Sequence, residues 1–83
     1  MDAMTALARA YLKSLSTKDE LLQLLDKLLL SDNERFLLSK VYLEGQSLGM
    51  VADLTGYSLQ NVKIIHRKAL YKVGSYIHKS TGI

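Results

Sequence analysis

Residues 48–70 read LGMVADLTGYSLQNVKIIHRKAL, a pattern typical of two short helices joined by a turn at residues 55–58. Glycine in the turn permits a left-handed backbone, and the serine after it can cap the second helix. A small residue in the first helix allows a close crossing, and branched residues in the second supply apolar contacts. The residues with these roles are Ala52, Gly56, Ser58, Val62 and Ile65. Their spacing predicts a helix-turn-helix whose recognition helix lies within residues 59–70.

The recognition helix has an inner and an outer face if Val62, Ile65 and Ala69 point toward the core. The outer face then consists of Gln60, Asn61, Lys63, Ile64, Arg67 and Lys68. Near the start of the helix, the amides of Gln60 and Asn61 suit paired hydrogen bonds with adenine in the major groove of DNA. This face is therefore predicted to bind double-stranded DNA.

Basic side chains and helix caps extend the predicted DNA contact. Lys63 and Arg67 are one helical turn apart and can reach guanine or phosphate. Lys68 and Lys72 are expected to meet backbone phosphates or solvent. Phosphates are also expected at the two serine-capped helix starts, because helix N-termini attract anions. These caps are Ser47 and Ser58.

Charge is distributed unevenly along the chain. Residues 1–53 contain six basic and eight acidic side chains, whereas residues 54–83 contain five basic side chains and no acidic one. A segment in which every charged side chain is positive favours a protein surface that binds a polyanion such as DNA. Two other interpretations are a basic helix that only faces solvent and an ordinary helical hairpin within a bundle. The hairpin explains the apolar residues but not the excess of positive charge in residues 54–83.

Three more helices are predicted before this motif. Capping boxes, in which a hydroxyl and a carboxylate three residues later cap each other's backbone, are expected at residues 17–20 and 31–34. Gly45 is placed to end the third helix, in which Phe36 and Leu37 are expected to face inward. The five predicted helices span about residues 3–15, 18–29, 31–44, 48–54 and 59–74.

The sequence as a whole predicts an all-α fold, a compact bundle of about five helices with a C-terminal helix-turn-helix. Proline is absent and 48% of the residues are hydrophobic, with many leucines. We expect a single domain over residues 1–83, in which residues 1–29 are an N-terminal helical addition and residues 30–73 the helix-turn-helix unit. Residues 74–83 are expected to form a frayed tail, since glycine at 74 weakens the helix.

Leucines cover more than half of the circumference of the predicted second helix. Two arrangements would bury them. The first helix folds over the second within one monomer, or two copies pair as a homodimer through these N-terminal leucine-rich helices. The sequence leaves both arrangements open.

Several functional classes are disfavoured by what the sequence lacks. It contains no cysteine, so no disulfide or thiolate metal site is expected. Its acids fall at helix caps and surfaces, and no nucleophile and base can be paired, so we expect no enzyme activity, metal or cofactor. The longest apolar run is three residues and no signal peptide is apparent. We expect no membrane contact and a cytoplasmic location.

Residues 30–48, LSDNERFLLSKVYLEGQSL, contain a Leu, a capping residue and a Glu-Arg pair, then an apolar helix and Tyr-x-Glu-Gly-x-Ser-Leu. This order resembles the opening of region 4 of bacterial sigma-70-type factors. Residues 50–63 and 67–70, MVADLTGYSLQNVK and RKAL, are similar to the helix-turn-helix of the same region. The resemblance covers residues 30–73 without a gap and extends to the DNA-binding domains of LuxR-type regulators.

The resemblance implies a role in transcription, because region 4 recognises the promoter −35 element and touches the flap of RNA polymerase. By position it implies DNA contacts for Leu59, Gln60, Asn61, Lys63 and Ile64. The family usually has charged or polar residues at positions 59 and 64 and an acid at 49 or 50. This chain instead has Leu59, Ile64, Gly49 and Met50. Because the sequence has no room for region 2, the resemblance implies a small regulator of the phage or mobile-element kind, not a complete sigma factor.

Two functions follow from these observations. The leading one is a transcription regulator that reads duplex DNA in the major groove, with RNA polymerase as a further candidate partner. The alternative is a protein-interaction module on the same scaffold, which binds RNA polymerase, a sigma factor or an anti-sigma factor. The alternative rests on apolar side chains expected at the surface, because exposed apolar patches usually mark interfaces. These are Leu48, Met50, Leu59 and Ile64.

Overall fold

This computed structural model describes residues 3–81 of the chain. In this range it has five α-helices and one π-helical segment, joined by short loops. The α-helices are α1 (Ala3–Ser14), α2 (Lys18–Lys27), α3 (Asp32–Leu38), α4 (Leu48–Thr55) and α5 (Leu59–Thr81). The π-helical segment, Ser39–Leu43, continues α3. The predicted all-α bundle is confirmed, and none of the helices in this range has the length and apolar character needed to cross a membrane.

The helix starts of α2 and α3 follow the predicted caps. The hydroxyl of Ser31 accepts a hydrogen bond from the Glu34 N–H at 3.2 Å, and the Glu34 carboxylate accepts one from the Ser31 N–H at 2.8 Å. This capping box is therefore complete. At α2 the hydroxyl of Thr17 caps the Glu20 N–H, but the Glu20 carboxylate accepts its bonds from the hydroxyls of Thr17 and Ser16.

Two hydrophobic clusters hold the bundle together. The larger one joins α1, α2, the end of α3 and the part of α5 that follows residue 68. It consists of Ala8, Leu12, Leu21, Leu24, Leu25, Leu38, Ala69, Leu70, Val73 and Ile77. The smaller one lies within the helix-turn-helix and consists of Leu37, Val51 and Val62, with Val41, Leu48, Ala52 and Ile65 packed against it. The buried α2 leucines thus share one cluster with residues of α1 and α5 inside one monomer. Leu22 and Leu29 stay exposed, and a homodimer through the N-terminal helices stays a prediction.

Helix α5 continues through Gly74 to Thr81, past the glycine at which the sequence predicts that the helix weakens. The reason is tertiary. Helix α1 packs along α5 more extensively than any other pair of helices. At Gly74 the two backbones are so close that a Cβ would overlap the carbonyl group of Met4. Buried Val73 and Ile77 anchor α5 on both sides of this crossing.

Phe36 does not face inward as predicted, because 40% of it is exposed. Helix α3 has only seven residues and is buried on two sides. Leu37 enters the smaller cluster and Leu38 the larger one, which leaves Phe36 on the remaining side. There the ammonium group of Lys40 lies 5.4 Å from the centre of the Phe36 ring, a cation–π contact.

Candidate nucleic-acid interface

The turn between α4 and α5 has the geometry that the sequence predicts. Gly56 has φ +78°, the left-handed conformation that favours glycine, and its N–H donates to the carbonyl of Ala52 at 2.9 Å. The hydroxyl of Thr55 donates to the carbonyl of Val51 at 2.9 Å and accepts from the N–H of Tyr57 at 3.2 Å. These local bonds fix where α4 ends.

The serine caps are also present. The hydroxyl of Ser47 accepts from the N–H of Met50, and that of Ser58 accepts from the N–H of Asn61, both at 3.1 Å. Each cap uses one of the N–H groups that a helix start leaves without an intrahelical partner. The remaining N–H groups of these first turns keep the ability to bind a phosphate, which stays a prediction.

The inner face of α5 holds it against α4 and α3. Val62 of α5, Val51 of α4 and Leu37 of α3 form the buried centre of the smaller cluster. Asn33 of α3 donates a hydrogen bond from its amide to the hydroxyl of Tyr57 at 3.2 Å, which ties the turn to α3. The recognition helix is therefore supported on two sides.

The outer face of α5 is exposed along its first three turns. Every residue predicted for it lies at the surface: Gln60, Asn61, Lys63, Ile64, Arg67 and Lys68. Leu59, at the start of the helix, is 44% exposed and Ile64 is 41% exposed. The structure thus leaves these predicted DNA-contacting residues of α5 exposed, while their contacts with DNA stay a prediction.

Lys72 is the exception among the predicted site residues. Its ammonium group donates to the carboxylate of Glu34 at 2.7 Å and to the carbonyl of Leu29 at 3.1 Å. Burial raises the pKa of Glu34, but the hydrogen bonds from Lys72 and from Ser31 outweigh it, so this pKa lies below its usual value. The positive charge of Lys72 is therefore already balanced by a carboxylate, which weakens its attraction for a phosphate. We therefore assign Lys72 to the stability of the fold, where it ties α5 to the start of α3.

His66 lies inside the protein. Only 9% of it is exposed, and its Nε2 is 2.9 Å from the hydroxyl of Tyr42. The two rings are stacked at 5.9 Å. The spacing of His66 from Val62 and Ala69 already puts it on the inner stripe of α5, and this signal could have placed it correctly.

Burial lowers the pKa of His66, and the positive charge of Arg9 lowers it further. Burial raises the pKa of the Tyr42 hydroxyl, and a hydrogen bond with Arg9 offsets part of that effect. Arg9, Tyr42 and His66 therefore form one network that joins α1, the π-helical segment and α5.

Acid should destabilise the protein through His66. As pH falls below about 6.5, the unfolded chain protonates this histidine before the folded protein does, so the free energy of unfolding decreases. We expect Tm to fall between about pH 7 and pH 5 in the wild type and to fall less in His66→Gln. Glu34 does not interfere, because its pKa lies below the ordinary 4.5 and it acts only at lower pH. Parallel Tm profiles for the two proteins would contradict this assignment.

Comparison with known proteins places this scaffold in a family. Residues 28–73 match the family described as Sigma-70, region 4. RNA polymerase sigma factor SigO of Bacillus subtilis (strain 168) is 41% identical over 44 residues, which cover 53% of this chain and 25% of that protein. The chain thus spans about a quarter of the length of that curated relative. No solved structure matches the chain significantly. Because the family match covers more than half of the 83 residues, the chain belongs to the Sigma-70 region 4 family.

Proposed function

We propose that this protein is a transcription regulator that acts in the cytoplasm and reads duplex DNA with the outer face of α5. One observation carries the proposal. The recognition helix of the family's helix-turn-helix has an exposed outer face with two amides near its start and three basic side chains behind them. A helix of this kind fits the major groove with its N-terminal residues against the base edges.

The charge of the outer face supports the same proposal. Lys63, Arg67 and Lys68 are exposed, and residues 54–83 contain no acidic side chain that would repel phosphate. Phosphate contacts provide most of the affinity of such proteins and orient the helix, whereas base contacts provide specificity.

Two residues of the outer face suggest what kind of sequence it reads. The amides of Gln60 and Asn61 suit adenine, which offers an adjacent acceptor and donor in the major groove. The exposed apolar side chain of Ile64 suits contact with the methyl group of thymine. We therefore expect duplexes selected from a random pool to contain A·T pairs at the centre of the recognised site.

A titration of labelled duplex with wild-type protein over a series of salt concentrations tests the proposal. With Lys63, Arg67 and Lys68 at phosphates, log K should fall with log salt with a slope of about −2.7 or steeper. Fluorescence anisotropy measures both K and the slope. Absence of binding to any selected duplex at the lowest salt would rule the proposal out.

A protein-binding role on the same scaffold is favoured by the apolar side chains around the helix-turn-helix. Met50, Leu54, Leu59 and Ile64 are exposed. The partner in this case is RNA polymerase, a sigma factor or an anti-sigma factor. Lys63→Ala with Arg67→Ala tests DNA binding, whereas Ile64→Asp tests an apolar interface. Function that survives the first change and fails with the second would favour the protein-binding role.

A further inference from the structure

Helix α5 continues past the recognition helix without a break and exposes a tyrosine there. The sequence predicts the recognition helix within residues 59–70, whereas α5 runs on to Thr81. Tyr71 is the first residue after the predicted recognition helix, and 54% of it is exposed. The contacts proposed above make no use of this side chain.

Tyr71 lies in line with the centre of the outer face. Four residues of α5 follow one another at spacings of four, three and four positions: Gln60, Ile64, Arg67 and Tyr71. With 3.6 residues per turn, this spacing places their side chains on one stripe of the helix. The fully buried Ala69 lies on the opposite side. The outer face of α5 is therefore one turn longer than the sequence predicts.

This length carries the end of the stripe toward the DNA backbone. At a rise of 1.5 Å per residue, Tyr71 stands about 16 Å further along α5 than Gln60, whereas the major groove is about 12 Å wide. When the first turn of a recognition helix meets base edges, its C-terminal end can meet the backbone. We propose that the hydroxyl of Tyr71 donates a hydrogen bond to a backbone phosphate, beside Lys68. The inference rests on the proposed function, since it adds a contact to a duplex that α5 already holds.

The surroundings of Tyr71 suit a phosphate. Tyr71 and Lys68 line an open groove of about 510 Å³ between α3 and α5. The carboxylate in its lining belongs to Glu34 and is bonded to the ammonium group of Lys72 at 2.7 Å, so these two charges balance. Lys68 adds a further positive charge three positions from Tyr71, and residues at this spacing are neighbours on a helix surface. Tyrosine hydroxyls and lysine ammonium groups are both common phosphate ligands in DNA complexes.

Tyr71→Phe tests the hydrogen bond, because it removes only the hydroxyl and keeps the ring. We expect the affinity for duplex DNA, measured by fluorescence anisotropy, to fall about tenfold, since a hydrogen bond to a charged group is lost. The loss should be equal for a selected duplex and for one with its central bases changed, because phosphates carry no sequence information. Tyr11→Phe removes the same group from an exposed position on α1 and should keep the wild-type affinity.

Two results of this comparison overturn the inference. The first is a loss of less than about threefold in a Tyr71→Phe protein that melts at the wild-type temperature. The second is a loss confined to the selected duplex, which would mean that Tyr71 contacts a base. Failure of the wild type itself to bind any duplex overturns the proposed function, and the inference with it.

Tyr71→Lys tests the position independently of the hydroxyl. It places a cation where we propose a phosphate, so the slope of log K against log salt should become steeper by about 0.9. Tyr11→Lys adds the same charge on α1 and should keep the wild-type slope. An unchanged slope in Tyr71→Lys overturns the inference, because no phosphate then lies within reach. Equal steepening in both variants also overturns it, because net charge alone would explain the change.

Discussion

Gly74→Ala is expected to destabilise the protein by about 1–3 kcal/mol, although alanine is normally the better helix former. The new Cβ would overlap the backbone carbonyl of Met4 in α1. A backbone group cannot rotate away as the end of a flexible side chain can, so α1 has to shift along α5. Thermal unfolding measures the effect, since each kcal/mol corresponds to roughly 4–8 °C in Tm for a domain of this size.

Gly49→Ala is the matched control for this prediction. Gly49 lies in the first turn of α4 at the surface, and the nearest atom to an added Cβ is the Ser47 hydroxyl at 3.7 Å, an ordinary contact. Here alanine should stabilise the protein by up to about 1 kcal/mol, because only the helix preference changes. If both variants gain stability, α1 does not cross α5 at Gly74.

The sequence predicts those parts of the fold that depend on nearby residues. The left-handed Gly56, the caps at Ser47 and Ser58 and the capping box at Ser31 all join residues no more than four positions apart. The outer face of α5 is also predictable, because the helical period of 3.6 residues places its side chains on the side opposite the buried Val62.

Contacts between distant segments explain what the sequence did not predict. Gly74 looks like a helix end until the α1 backbone is placed against it. Lys72 looks like a phosphate ligand, but it pairs with Glu34, which is 38 positions away. His66 bonds Tyr42 across 24 positions.

Reversing two charges on the outer face should strongly weaken DNA binding. Lys63→Glu combined with Arg67→Glu replaces two cations one turn apart with anions that repel phosphate and cannot donate to guanine. Each such contact contributes about 1–3 kcal/mol, so the pair should cost at least about thirtyfold in affinity. Both side chains are exposed, and the fold should therefore be unaffected.

Lys18→Glu combined with Lys27→Glu is the control for this double change. It alters the net charge of the protein by the same amount, but both residues lie at the surface of α2, outside the region shared with the family. Its affinity for the duplex should fall only modestly, because separated surface charges are screened by salt. The comparison distinguishes a local contact from a general effect of net charge.

The most direct test of DNA reading by α5 is the affinity of the wild type and of the Lys63→Glu/Arg67→Glu protein for one selected duplex, measured side by side by fluorescence anisotropy at low salt. We predict that the double variant binds at least about thirtyfold more weakly than the wild type while its melting temperature is unchanged. Affinities within about threefold of each other, for two proteins that are equally folded, would contradict the assignment of the outer face of α5 as the DNA-binding surface.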